Sequence, residues 1–450
     1  MSFLPLLRPG PARPSATGTA ATDAAATDTA LSPAPARHTR LLSRRALGLG
    51  LLAVWGPGLI VMLADGDAGC LITAAQSGAQ WGYRLVLPQL VLIPILYLVQ
   101  EMTVRLGIFT GLGHGALIRA RFGRGWAAVS AAPMIVSAVG TLVVEFVAVA
   151  GVGELFGISK WVTVPVATAA LIALALAGGY RRVERTGILV GLAELAFVVA
   201  MLLSKPHPGQ VLAQLASQPL TSSGYLTLLA ANVGAVIMPW MIFYQQGAMT
   251  DKGLQPGALR QARRDTLAGA ILTQGIMISV IIAMAATIGR KNPGVALTSV
   301  SQIANALAPF LGTDTGRIVT GAALLGGAMV SALVVSVAGS WGLAEVFGWK
   351  HSLNDRPSRA NAPFYLSYSA AHVAGAILVL ASVDLVGLAV DVEVLNAVML
   401  PLVLGFLLAL EAKSLPAEQR RRGWRRAAVT TVCGLVMAFG LYAIVPALGL

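Results

Sequence analysis

The sequence predicts an all-α polytopic membrane protein, with about eleven transmembrane helices forming a five-plus-five inverted repeat and one appended helix. Three observations lead there. Of the 450 residues, 56% are hydrophobic and only 11% charged, against roughly 25% charged in soluble domains. That leaves too few polar side chains to cover a water-exposed surface. Apolar runs of about 20 residues, the length that crosses a hydrocarbon core, recur along the chain. Two of these runs, the first and the sixth, are interrupted by residues that a spanning helix accommodates only at a cost.

The runs lie near residues 47–76, 83–104, 126–152, 161–179, 187–204, 225–249, 266–289, 317–346, 364–382, 387–410 and 427–448. Loop charges test the count. With a cytoplasmic N-terminus, only Arg84, Lys160, Lys205, Arg290, Lys291 and Arg317 of the 32 Lys and Arg residues fall on the outer side. A missed helix would scramble that asymmetry, which is what the positive-inside rule demands. The expectation is a multi-pass protein of the cell (inner or plasma) membrane, in contact with the lipid bilayer. The same placement removes a nucleic-acid reading of the net charge of +13, because the cations sit in short loops on one side.

Residues 1–40 are rich in Ala, Thr, Pro and Ser and are expected to be a disordered cytoplasmic tail, leaving 41–450 as the transmembrane domain. The 49 glycines and 23 prolines suit closely packed, broken spanning helices. Cys70 and Cys433 both fall inside predicted spans, so no disulfide framework is implied. There is no P-loop, and His38, His114, His207, His351 and His372 lack metal-ligand spacing. Neither an enzyme nor a resident cofactor is expected.

The first interruption is Ala64-Asp65-Gly66-Asp67-Ala68-Gly69-Cys70, two carboxylates and two glycines at membrane depth. Glycine lets the backbone leave the helix and turn its carbonyls toward a ligand. Asp67 is the best candidate cation ligand, since hard and borderline divalent ions take carboxylate and carbonyl oxygens. The competing reading makes it a cap for the half-helix that follows. Asp65 is open to three readings: second ligand, proton carrier, or a group that holds the loop. The second interruption is Gly234-Ala235-Val236-Ile237-Met238-Pro239-Trp240. Pro239 frees the carbonyl of Ala235 one turn earlier, and the Met238 thioether is a soft ligand that favours transition metals, or else a filler of apolar space. Spans one and six lie five apart and so run in opposite directions, the layout of an inverted repeat with its central site at paired breaks.

Glu145, in the middle of the third span, is a candidate for proton movement or for a buried structural bond. Glu393 and Asn396, in the tenth, either line the same cavity or form a solvated edge.

Taken together, these segments resemble the natural resistance-associated macrophage protein family of divalent metal transporters. Asp67-Ala68-Gly69-Cys70, with Gly56-Pro57-Gly58 before it and Gln76-Ser77-Gly78-Ala79 after it, is similar to that family's Asp-Pro-Gly-Asn segment. Gln100-Glu101, Arg105-Leu106-Gly107 and the run Leu117 to Gly123 are similar as well. So is Gly234 to Pro239, which resembles an Ala-x-x-Met-Pro-His stretch. The resemblance runs from about Trp55 to the eighth span and more weakly to the tenth.

It implies a LeuT-like fold with broken helices one and six, and a transported divalent ion held by Asp67, Cys70, Met238 and the carbonyl of Ala235. By the same resemblance, Glu145 falls close to a glutamate associated with proton movement, and Glu393 near a glutamine that approaches the ion. Three departures bear on it: Ala68 replaces proline, Cys70 replaces asparagine, and Trp240 replaces histidine. Asp65 and Glu393 add carboxylates. The leading expectation is a secondary transporter of divalent cations of the Mn/Fe type, with protons as the coupled partner. The alternatives are an uncoupled Mg²⁺ uniporter of a related branch and a permease for a small organic substrate on the same fold.

Overall fold

The computed structural model describes residues 64–176, 192–349, 357–382 and 384–447. The expected tail, 1–40, and the Gly56-Pro57-Gly58 segment lie outside them. Among the described residues the chain is helical throughout, with no strand. Seven helical segments are long and apolar enough to cross a membrane, including Val86–Thr110, Arg124–Leu155, Ser223–Asp251 and Thr313–Phe347. Helices also stand at the other expected positions. There the apolar stretch is short, runs outside the described residues, or, as in Gly423–Tyr442, carries arginines near its start.

Four helices build the centre. The first, α1 (Ala68–Trp81), begins at the first interruption, and its residues from Ala68 to Ala79 are all buried. The second, α2 (Val86–Thr110), follows after a short turn. The sixth apolar run is split into α3 (Ser223–Val236) and α4 (Pro239–Asp251). Its break has a local cause: Pro239 has no N–H to return to Ala235, and Met238 before it is extended (φ −90°, ψ 139°), as a residue preceding proline prefers.

Around these stand α5 (Arg124–Leu155), α6 (Leu259–Met284), α7 (Thr313–Phe347) and α8 (Leu385–Ser414). A 3₁₀ turn, Leu192–Leu195, leads into the short α9 (Ala196–Leu203). Small residues permit the close approaches. A Cβ on Gly234 would run into the backbone carbonyl of Glu393 and come 2.7 Å from Ala397 N, so α3 lies directly on α8. With lipid outside, such packing and interhelical hydrogen bonds replace the hydrophobic effect. Gln89 Nε2 donates to Asn232 Oδ1 (2.6 Å), and Asn232 Nδ2 donates to Ser77 Oγ (2.8 Å), joining α2, α3 and α1.

Toward the C-terminal end of α2 a second polar cluster closes the bundle. Glu101 accepts from Arg263 Nε (2.8 Å) and from Arg421; Glu411 accepts from Arg105 Nη1 (2.6 Å) and Arg421 Nη1 (2.7 Å). Arg105, which sequence places among the loop cations, lies inside α2 and is only 3% exposed.

Candidate functional site

The two interruptions meet. Gly66 and Asp67 leave the helix, and Asp67 (φ −71°, ψ 175°) starts α1, its Oδ1 accepting from Cys70 N at 2.7 Å. The capping role weighed against ligation is therefore real, but it uses one oxygen. Asp67 Oδ2 is buried with no hydrogen-bond partner.

One turn along, the Cys70 thiol sits between two freed carbonyls, 2.8 Å from Asp65 O and 3.0 Å from Ala235 O. It is the direct bridge between the breaks. Met238 Sδ has two neighbours: Trp240 Nε1 at 3.1 Å and Thr141 Oγ1 at 3.7 Å. Sequence gave no sign of Thr141, one turn before Glu145 on α5.

The accessory carboxylates converge on the same place. Glu393 is fully buried, not a solvated edge. Its Oε2 accepts from Asn396 Nδ2 (3.0 Å), and its Oε1 has no partner and fills the space where a Cβ on Gly69 would stand. Glu145 lies beside the Ser331 hydroxyl and the Ala68 backbone without closing a hydrogen bond to either. Asp65 is buried with both carboxylate oxygens unpaired. A fifth acid, Glu194 in the 3₁₀ turn, is 2% exposed, and its Oε1 is also without a partner.

No Lys or Arg pairs with any of these five among the described residues; the salt bridges there involve Glu101 and Glu411. Each ionised carboxylate left uncompensated in such a place costs several kcal/mol, and like charges raise that cost together. A proton or a cation would relieve that cost. No three Asp, Glu, Cys or His side chains among the described residues are close enough to hold an ion by themselves. Backbone carbonyls and the thioether would have to complete any shell.

The sequence matches the natural resistance-associated macrophage protein-like family, Nramp, over residues 58–446. The chain belongs to the Nramp family. A relative in Chromohalobacter salexigens, the divalent metal cation transporter MntH, is 31% identical over 304 residues, 64% of this chain and 69% of its own. MntH of Verminephrobacter eiseniae is 29% identical over 255 residues, 54% of this chain and 55% of its own.

Among solved structures, the Eremococcus coleocola manganese transporter, crystallised with an aromatic bis-isothiourea compound, superposes with a TM-score of 0.70. It is 19% identical over 90% of this chain and 88% of its own. MhsT in complex with L-phenylalanine has a TM-score of 0.57 at 14% identity, covering 87% of this chain and 99% of its own. These likenesses establish the LeuT-like fold of this Nramp protein, an integral multi-pass membrane protein with helices one and six broken.

Proposed function

We propose that this Nramp protein is a secondary transporter of divalent metal cations, Mn²⁺ or Fe²⁺ by preference, working by alternating access across about eleven spans with a cytoplasmic N-terminus. The observation that carries the reading is the meeting of the two breaks, with Cys70 Sγ 3.0 Å from Ala235 O. That contact sets a thiol against a freed carbonyl, with Asp67 Oδ2 buried and unpartnered at the start of the same half-helix and the Met238 thioether three residues after Ala235. Carboxylate and carbonyl supply hard oxygens, and the sulfurs tilt the set toward transition metals.

Asp67, Cys70, Ala235 and Met238 are fully buried or nearly so, which fits an occluded step in which neither side of the membrane reaches the ion. Glu145 and Asp65 are the candidates for carrying protons, and Glu393 for steadying the ion. The relatives named as divalent metal cation transporters support the same substrate class.

One observation favours a second reading. Trp240 Nε1 donates to Met238 Sδ, which occupies a sulfur lone pair, while five carboxylates crowd the site. That combination suits a harder ion such as Mg²⁺, moved without proton coupling.

Purified full-length protein in liposomes, loaded with a pH-sensitive dye and offered Mn²⁺ or Mg²⁺, tests both. Mn²⁺ uptake with internal acidification, abolished in Asp67→Ala, is the expected result. Unchanged uptake in Asp67→Ala would remove the site assignment. Mg²⁺ uptake without acidification would favour the uniporter.

A further inference from the structure

A cavity that the ion site does not use lies between the last turns of α8 and the first turns of the helix Gly423–Tyr442. Its volume is about 490 Å³, within the roughly 300–1,000 Å³ of ligand-binding cavities. Arg420, Arg421, Arg422 and Arg426 line it, and Glu411 is the one acid among the lining residues. Glu411 already accepts from Arg105 and Arg421, and Arg421 also donates to Glu101. No carboxylate pairs with Arg420, Arg422 or Arg426 among the described residues. Glu418, the other acid of the connecting segment, is not in the wall. Backbone carbonyls hold two of the guanidinium groups: Arg420 Nε donates to Leu415 O (2.7 Å) and Arg422 Nη2 to Ala417 O (3.1 Å). Each keeps further N–H donors for a ligand.

The positive-inside rule asks only that cations gather on one side of the membrane; it does not ask that they surround a cavity. Like charges set around one space repel, and an anion between them removes the repulsion. Guanidinium groups match phosphate oxygens in paired hydrogen bonds. The helix Gly423–Tyr442 adds first-turn N–H groups that no side chain caps. Beyond the arginines the two helices turn apolar and open outward. Gly434 follows the lining residue Thr430 by one turn, and a Cβ there would meet nothing within 4 Å. Leu402 on α8 is 38% exposed and Leu435 is 67% exposed. A polar cavity at the helix ends with exposed apolar side chains further along suits a molecule that is anionic at one end and hydrocarbon at the other.

We propose that this cavity binds the phosphate headgroup of an anionic phospholipid, held by Arg420, Arg422 and Arg426, with the acyl chains along the exposed sides of α8 and Gly423–Tyr442. Basic pockets between spanning helices take such headgroups. Arg421 forms the floor and is itself neutralised, so the bound phosphate meets the three cations that have no carboxylate. The site is independent of which ion the chain moves.

The test is native mass spectrometry of the purified full chain in detergent, offered phosphatidylglycerol and phosphatidylcholine in equal amounts. Wild type is expected to retain one phosphatidylglycerol in preference to phosphatidylcholine. Arg422→Gln together with Arg426→Gln should weaken phosphatidylglycerol by roughly 10–30-fold and leave phosphatidylcholine unchanged. Ala417→Trp keeps every cation and fills the cavity from an exposed lining position; it should lose the same preference. Lys413→Gln together with Arg425→Gln removes equal charge from side chains that lie over Phe122 and Trp424, outside the wall, and should leave the preference intact. An equal loss in that control would mean a diffuse basic surface and overturn the site. So would wild type without the preference, or either cavity variant retaining it. Displacement of the lipid by millimolar inorganic phosphate would assign the cavity to a soluble anion and overturn the lipid.

Discussion

Replacing Trp240 by phenylalanine isolates the sulfur's part in ion choice. The indole Nε1 lies 3.1 Å from Met238 Sδ, and a thioether is a weak acceptor, so the bond is worth about 0.5–1 kcal/mol net. An ion that binds sulfur must compete with that donor, whereas an ion held by oxygens does not. Removing the donor should therefore tighten Cd²⁺ and Mn²⁺ by roughly 2–5-fold and leave Mg²⁺ where it was.

The substitution is otherwise mild. A phenyl ring keeps the contact with Tyr244, whose ring centroid is 6.5 Å from that of Trp240. Thr141 Oγ1 remains 3.7 Å from the sulfur in either case. The assay is uptake into proteoliposomes with the three ions in competition, comparing apparent affinities rather than maximal rates. If Cd²⁺ and Mg²⁺ shift together, or neither shifts, Met238 does not ligate the ion and the sulfur is filler.

Further predictions concern the rest of the bundle. Glu101 is 5% exposed and faces Arg105, Arg263 and Arg421. Glu101→Ala should cost about 3–5 kcal/mol, because the buried Arg105 and Arg421 are then left to share the single carboxylate of Glu411, whereas Arg263→Ala, at a side chain 41% exposed, should cost about 1 kcal/mol or less. Thermal unfolding of the two purified variants checks this, and equal losses would mean that the cluster does not act as a buried unit.

His114 begins the short helix His114–Phe122 outside the spans, where burial lowers its pKa to about 4 despite a hydrogen bond with Gln246. Between pH 6.5 and 4 the unfolded chain binds the proton and the folded chain does not. Stability should therefore fall on acidification through that window, by up to ~3 kcal/mol. His114→Gln should flatten this part of the pH profile, and an unchanged slope would assign it to another group.

Much of the site is legible in the sequence because membrane depth makes charge conspicuous. Asp65, Asp67, Glu145 and Glu393 each stand out inside an apolar run, and Pro239 announces the second break. Glu194 carries the same signal, an acid within the fifth run. Its position early in that run, after the loop cations Arg181, Arg182 and Arg185, gives it the look of a loop charge instead. Pairings across the fold leave no local trace. The resemblance brings Cys70 and Ala235, 165 residues apart, toward one ion, but nothing in the sequence shows that the thiol meets that carbonyl directly. Likewise Arg105, Arg263 and Arg421 read as separate loop cations, although they share two carboxylates. Trp240 is visible as a departure from the family pattern, but its bond to the residue two before it depends on how α4 restarts after Met238.

Asp67 Oδ1 accepts from Cys70 N in the first turn of α1, while Oδ2 is buried with no partner. An ion pulling on Oδ2 would thus also pull on the hydrogen bond that sets where the half-helix begins. If Asp67 binds the cargo as proposed, the residue that takes up the ion is also the one at which the half-helix begins. Loading and unloading would be felt as torque at the hinge itself, with no relay of side chains needed to carry the message.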